Sequence, residues 1–342
     1  MMIPMAIAFA VVMVPAFIAS NRNTYYYAAS KIYGEETQLG QDIASIEEVF
    51  GKSDTYVVLV PNGNPEAERK LSDALNDVPE IKSIISYAET VGAEIPKEYL
   101  DADTLSQLVS ENYNRMVLTV ETDYEGLETF ELVEEIRGIV DTYYPEENYL
   151  AGEGVSSYDL MDTITADNIK VNLIAIGAVF VVLLLSMKSL VLPVILVLAI
   201  ETAVWINMSI PCISGSVVFY ISYLIISSVQ LGATVDYAIL LTDRYLELRQ
   251  SMLKKEAVWE VIPTVTISLL TSGTVLAVVG MLLSKFSTHG MISQLGLYLG
   301  RGTILSLISV FFVLQGLLYI FDKAIQKTTL GILFYQSGKE QE

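Results

Sequence analysis

Six apolar stretches divide the chain, and their spacing constrains its fold more than any other feature. The first is IPMAIAFAVVMVPAFIA, residues 3–19. Five more follow at 171–187, 190–208, 214–242, 262–284 and 291–321. Each is long enough to cross about 30 Å of hydrocarbon as a helix, allowing for tilt. Between the first and second lies a block of very different character. Residues 20–168 hold 31 Asp/Glu against 9 Lys/Arg, whereas the rest of the chain holds 9 against 11. One region is therefore acidic and water-facing, and the remainder is nearly uncharged and apolar. The expected fold is a polytopic α-helical membrane protein with six transmembrane helices and an α+β domain inserted between the first two. The boundaries read as 1–19 for the first helix, 20–168 for the domain, 169–327 for a five-helix bundle and 328–342 for a tail. AFIAS also resembles a signal-peptide cleavage site, but the basic n-region of such a peptide is missing.

Within the block, TYVVLVP (55–61), IKSIISYA (81–88) and RMVLTVET (115–122) read as strands. NYLAGEG (148–154) ends in a short strand. PEAERKLSDALNDV (65–78), opened by Pro65, and GLETFELVEEIRGIVDTYY (126–144) read as helices. Apolar strands alternating with amphipathic helices favour an α+β sandwich of βαβ units, with a ferredoxin-like order as one candidate. Residues 157–170 read as a helix that runs into the next span.

Orientation follows from the basic residues. Arg244, Arg249, Lys254 and Lys255 fall in the segment 243–261, which reads as a short loop, Lys188 in a turn, and Lys323, Lys327 and Lys339 towards the tail. Six helices put all three regions on one side, and the positive-inside rule makes that side cytoplasmic. Residues 20–168 and His289 are then extracytoplasmic, and both termini are cytoplasmic. Trp205 and Trp259, near helix ends, read as interfacial anchors, as do Tyr25–Tyr27.

Composition excludes several functions. The acidic block would repel nucleic acid. Cys212 and His289 are the sole residues of their types, so no disulfide framework and no His/Cys metal site can be built. EF-hand, GxGxxG, P-loop and GxSxG patterns are absent, so neither a cofactor nor an enzymatic site is expected.

The stretch QLGATVDYAILLTDRY (230–245) carries the sharpest chemical signal. It places Asp236 inside an apolar segment, where an acid costs about 2.5–3.5 kcal/mol on insertion scales. Desolvation favours the neutral form of a carboxyl. An acid that alternates between neutral and charged can carry a proton in a pump. Tyr237 can donate a hydrogen bond to it or to a partner. Gly232 shares a face with Asp236 and, with Ala233, leaves room for another helix. Asp243 lies two turns further along. In SLLTSGT, the hydroxyls of Ser268, Thr271, Ser272 and Thr274 are equally suited to bonding Asp236 and to ordinary back-bonding within their own helix. Glu201 and Arg301 each lie within an apolar segment, where a structural ion pair, mutual or with another chain, is the favoured reading over a second proton site.

On GATVDYAILLTDRY, LTSGTVLAVVGMLLS and QLGLYLGRGTILSLISVFFVL, in this layout, the chain resembles the resistance–nodulation–division (RND) superfamily, in its MMPL-type branch of hydrophobe and amphiphile exporters. Members usually contain two similar halves, each with one helix, a porter domain and five helices. This chain resembles the second half over nearly its whole length. Gln315 departs from the pattern, standing where the family commonly has Pro before a small residue. The resemblance implies export of a lipid or other amphiphilic substrate driven by protons, with Asp236 and Tyr237 as the relay. It also implies a second RND half as partner, because the Asp–Tyr pairs of two halves face each other in the family. Two rivals are a non-transporting sterol-sensing-like or assembly protein and a SecF-like translocation subunit. The presence of both Asp236 and Tyr237 disfavours the first, and a domain this large disfavours the second.

The orientation is directly testable. Membrane-impermeant thiol reagents applied from outside should label Ser53→Cys and spare Ser251→Cys; the reverse pattern would invert the topology.

Overall fold

A computed structural model of the chain describes residues 2–28, 32–34, 37–92 and 102–335. Met1 and the end of the tail, including Lys339, lie outside the described residues. The chain divides into two compact units, residues 27–166 and residues 1–26 with 167–342.

The unit of residues 27–166 is built on a four-stranded antiparallel sheet. Its strands are β2 (Asp54–Pro61), β3 (Ile81–Ile85), β4 (Tyr113–Val120) and β5 (Tyr149–Ala151), in the order β3-β4-β2-β5. Helix α2 (Gln38–Phe50) precedes β2, α3 (Pro65–Asn76) joins β2 to β3, the short α4 (Ala102–Leu108) precedes β4, and α5 (Leu127–Tyr143) joins β4 to β5. Two βαβ units interlock in this way, which is the ferredoxin-like order. Strands β2 and β4 alternate buried with more exposed residues, as a sheet covered on one face must. Tyr56, Val58, Val60, Met116, Leu118 and Val120 point into one core against Leu71 and Leu75 of α3 and Val133, Ile136 and Val140 of α5. Gly152 and Gly154 explain the AGEG sequence, since a Cβ at either would collide with the Tyr56 ring. The buried Asp54 closes the same corner by accepting from the backbone N–H groups of Thr55 and Gly154, both at 2.7 Å. Burial pushes its carboxyl up, and those two bonds oppose the shift. Glu68 is also buried, and accepts from the Asn114 amide at 2.6 Å.

The other unit is helical. It contains α1 (Met2–Ser20), α6 (Glu153–Met187, from Asp167 onward), α7 (Val191–Ser214), α8 (Tyr220–Arg249), α9 (Lys254–Phe286), α10 (Gly290–Ile308) and α11 (Gln315–Thr328). A π-helical turn at Ser309–Leu314 joins α10 to α11, and the Ser309 hydroxyl donates to the Ala199 carbonyl at 2.9 Å. Among the described residues, five helices are long and apolar enough to cross a membrane: α6 from Ile169, α7, α8, α9, and α10 with α11. The described apolar part of α1, Ala6–Ser20, is shorter. Strand β1 (Tyr25–Tyr26) follows α1 and pairs in parallel with β6 (Val218–Phe219). The Tyr25 ring packs edge-on against Tyr223. These tyrosines thus brace the bundle.

Two expectations change in this unit. The basic segment 243–261 is mostly helix, because α8 continues to Arg249 and α9 starts at Lys254; only 250–253 lie between them. Pro263, which stands at the start of the apolar run 262–284 and is thereby expected near a helix end, lies inside α9.

Helices α9 and α10 meet through glycine. A Cβ at Gly280 would come within 2.6 Å of the Gly300 nitrogen and 2.8 Å of the Gly296 oxygen, so the two backbones touch. Close approach of this kind requires small residues at the contact. A side chain at Gly280 meets backbone, which cannot rotate away. Gly280→Val should destabilise the bundle by about 1–3 kcal/mol, the range for overpacking. Gly177, whose Cβ position is open, should accept Ala with little change. Thermal unfolding of both variants in detergent measures the contrast.

Candidate functional site

The α8 helix has two unlike faces. Gln230, Leu231, Thr234, Tyr237, Ala238, Leu241 and Tyr245 are buried against the bundle. On the opposite side, Ile225, Val229, Gly232, Asp236, Leu240, Asp243 and Glu247 are exposed. They recur every three or four residues and so form one stripe along the helix. Asp236 sits in the middle of that stripe. Nothing lies within 4 Å of a Cβ built on Gly232, one turn away. The close helix approach expected at Gly232 is thus not made within this chain, and the stripe is bare.

Asp236 and Tyr237 do not act as a local pair here. Successive residues of a helix are turned about 100° apart. With Asp236 outward, Tyr237 is turned into the main core of the bundle, 5% exposed. The hydroxyl-bearing residues Ser268, Thr271, Ser272 and Thr274 of α9 are also exposed. Thr271 donates to the Ile267 carbonyl at 2.7 Å, which is the back-bonding alternative. Among the described residues, none of the four is bonded to Asp236.

The mutual Glu201–Arg301 pair is not formed either. Arg301 donates from Nε to Asn207 Oδ1 at 2.7 Å and from a terminal nitrogen to the Asn207 carbonyl at 2.9 Å. Its guanidinium also lies 5.2 Å from the Tyr298 ring centroid. Asn207 is six residues beyond Glu201 on α7, about 9 Å along the axis, and it takes up the reach of the arginine. Glu201 instead lines a cavity between α1, α6, α7 and α8.

Two buried polar networks went unread in the sequence. In the first, the Asn207 amide donates to Gln230 Oε1 at 2.8 Å and to the Tyr298 carbonyl at 2.9 Å. Gln230 Nε2 in turn donates to the Gly302 carbonyl at 3.2 Å. This knot ties α7, α8 and α10 together, and Arg301 caps it. Asn207 and Gln230 were detectable as amides inside apolar helices. In the second, Arg249 and Asp322 form an ion pair at 2.9 Å with side chains 3% exposed. The Tyr245 hydroxyl donates to the same Asp322 oxygen at 2.6 Å. Arg249 also donates to the carbonyls of Met252 and Tyr335, which ties the chain after α11 to the end of α8. Arg249, counted with a basic loop, is thus a buried structural cation.

The family model for the MMPL family matches residues 32–326. Among curated proteins, none matches the chain.

Removing one partner of a buried ion pair strands the other charge. Arg249→Met should cost about 3–5 kcal/mol, read as a fall in unfolding temperature in detergent. Arg249→Met combined with Asp322→Leu should recover most of that loss. No recovery would show that the guanidinium matters for its carbonyl bonds rather than for Asp322.

Proposed function

Because the chain belongs to the MMPL family, we propose that it is one half of a proton-driven exporter of a lipid or other amphiphile, with Asp236 as the carboxylate that carries the proton. The family is that of RND-type transporters of hydrophobic substrates, and five apolar helices agree with a multi-pass membrane protein. The observation that carries the reading is the bare stripe on α8. It presents Asp236 beside an open Gly232, on a helix otherwise fit for hydrocarbon. An acid facing lipid is costly, so the stripe calls for a cover. A second half, either another copy or a related chain, would supply it and complete the site. Covered in this way, Asp236 would bind a proton from outside and release it inside. A unit charge moved through 100 mV is worth about 2.3 kcal/mol, enough to shift a conformational equilibrium of a few kcal/mol. The unit of residues 27–166 would stand outside the cell membrane and pass the substrate on. Tyr237 would act through the core, by holding the rotation of α8, as much as through its hydroxyl. Gly232 would admit the covering helix, and Asp243 would lie on the proton's exit route.

Substrate efflux from vesicles, with any required partner present, tests this. Under an imposed pH gradient, Asp236→Asn should lose gradient-driven transport while still assembling. Tyr237→Phe should transport more slowly but remain coupled. In a Cys212→Ser background, Leu240→Cys on the stripe should cross-link to a second chain on mild oxidation, whereas Val182→Cys on α6 should not. Wild-type efflux in Asp236→Asn would remove the relay; absence of any cross-link from the stripe would remove the second half.

A further inference from the structure

The cavity that holds Glu201 points to the chemistry of the molecule it takes. Helices α1, α6, α7 and α8 enclose about 320 Å³, within the range of small-ligand sites. Glu201 and Trp205, one turn apart on α7, share the lining with Phe17, Asn172, Tyr223 and Ser227. The cavity exists because α6 is held mainly at its far end. Leu183 and Met187 are buried there, but only 6% of the α6 span is buried. Nearer Ile169, the helix stands off and is tied by the Ser227 hydroxyl donating to Asn172 at 2.8 Å. The cavity is deep. Asn23, just after α1, donates to the Met208 carbonyl at 2.8 Å and sets the level of the helix ends. Glu201 lies two turns below Met208 on α7, about 10 Å.

Glu201 is 8% exposed and, among the described residues, has neither a hydrogen-bond partner nor an ion-pair partner. A carboxyl in such surroundings is tolerable only when neutral or when matched by a cation. Among the described residues, no Lys, Arg or His lines the cavity. A cation that matches the ionised carboxylate would therefore be brought by a bound molecule. A metal ion is a poor fit, because no cluster of three His, Cys, Asp or Glu exists among the described residues. The remaining lining is apolar and aromatic. Ring faces attract cations, and tryptophan does so best; this is how quaternary ammonium groups are recognised. An anionic head would be repelled, and a neutral one would leave the carboxyl unmatched.

We infer that this cavity binds an amphiphile with an ammonium headgroup, paired with Glu201 and faced by Trp205. The inference narrows the substrate of the function proposed above. It rests on that reading for export, though not for binding.

The chain contains two tryptophans, and Trp259 is 54% exposed and outside the cavity. Trp259→Phe therefore leaves Trp205 as a fluorescence reporter inside it. The full chain in a nonionic detergent is titrated with a brominated alkyltrimethylammonium, with the brominated alcohol of equal length and with the corresponding alkyl sulfate. The ammonium compound should quench saturably, with at least tenfold tighter binding than either of the others. Glu201→Gln should erase that preference, and Glu201→Asp should keep it. Equal binding of the ammonium compound and the alcohol to the Glu201 protein overturns the inference without recourse to any variant at 201. An undiminished preference in Glu201→Gln overturns it as well. No gradient or transport is needed for this measurement. In the wild-type chain, absence of export with ammonium binding intact would count against the proposed export alone, and absence of the ammonium preference with export intact would count against the cavity alone.

Discussion

Hydrocarbon offers no hydrogen bonds, so each polar group in a membrane helix must find its partner within the protein or face a large cost. The arrangement of the helical unit follows from that constraint. Asn207, Gln230 and Arg301 answer one another across α7, α8 and α10. Arg249, Asp322 and Tyr245 do the same where α8 meets α11. These knots fix the rotation of α8, and the rotation decides everything else about it. With Gln230, Tyr237 and Tyr245 held inward, Asp236 can only face outward. Asp236 and Asp243, on the open stripe, and Glu201, in the cavity, have no such partner among the described residues.

Much of this architecture was legible from spacing alone. The apolar runs marked where each spanning helix lies, though α7, α8, α9 and α11 extend six to eight residues past a run's end, and the alternation in TYVVLVP and RMVLTVET marked the two central strands, β2 and β4. Run lengths and periodicity are local properties, and local properties survive in sequence. The identity of partners did not survive. Glu201 and Arg301 looked matched because each was costly alone, but Asn207 lay closer to the arginine than any acid. Arg249 looked like a loop cation because α8 was read as ending too early. Asp322 drew no attention beside the lysines that follow it. In each case the missing quantity was helix rotation, which is set by contacts between segments far apart in the chain.

The α8 stripe shows the same limit from the other side. Gly232, Asp236 and Asp243 were recognisable as one face by their spacing. That this face is bare depends on which side of α8 the other helices occupy, and Gln230 with Tyr245 made that choice. Adjacent residues then received opposite fates. Asp236 and Tyr237 read as a unit in the sequence, yet the structure sends one to the surface and the other to the core.

The glycine contact between α9 and α10 has a mechanical consequence. Where side chains interdigitate, small rotamer changes can absorb sliding between helices. Gly280, Gly296 and Gly300 leave backbone against backbone, with nothing to flex. Packed interfaces of this kind move by discrete steps or not at all. Continuous sliding along this seam is therefore resisted at these three glycines. A stroke of the proposed exporter would then be taken up elsewhere, and α6 has the least buried span of the five described.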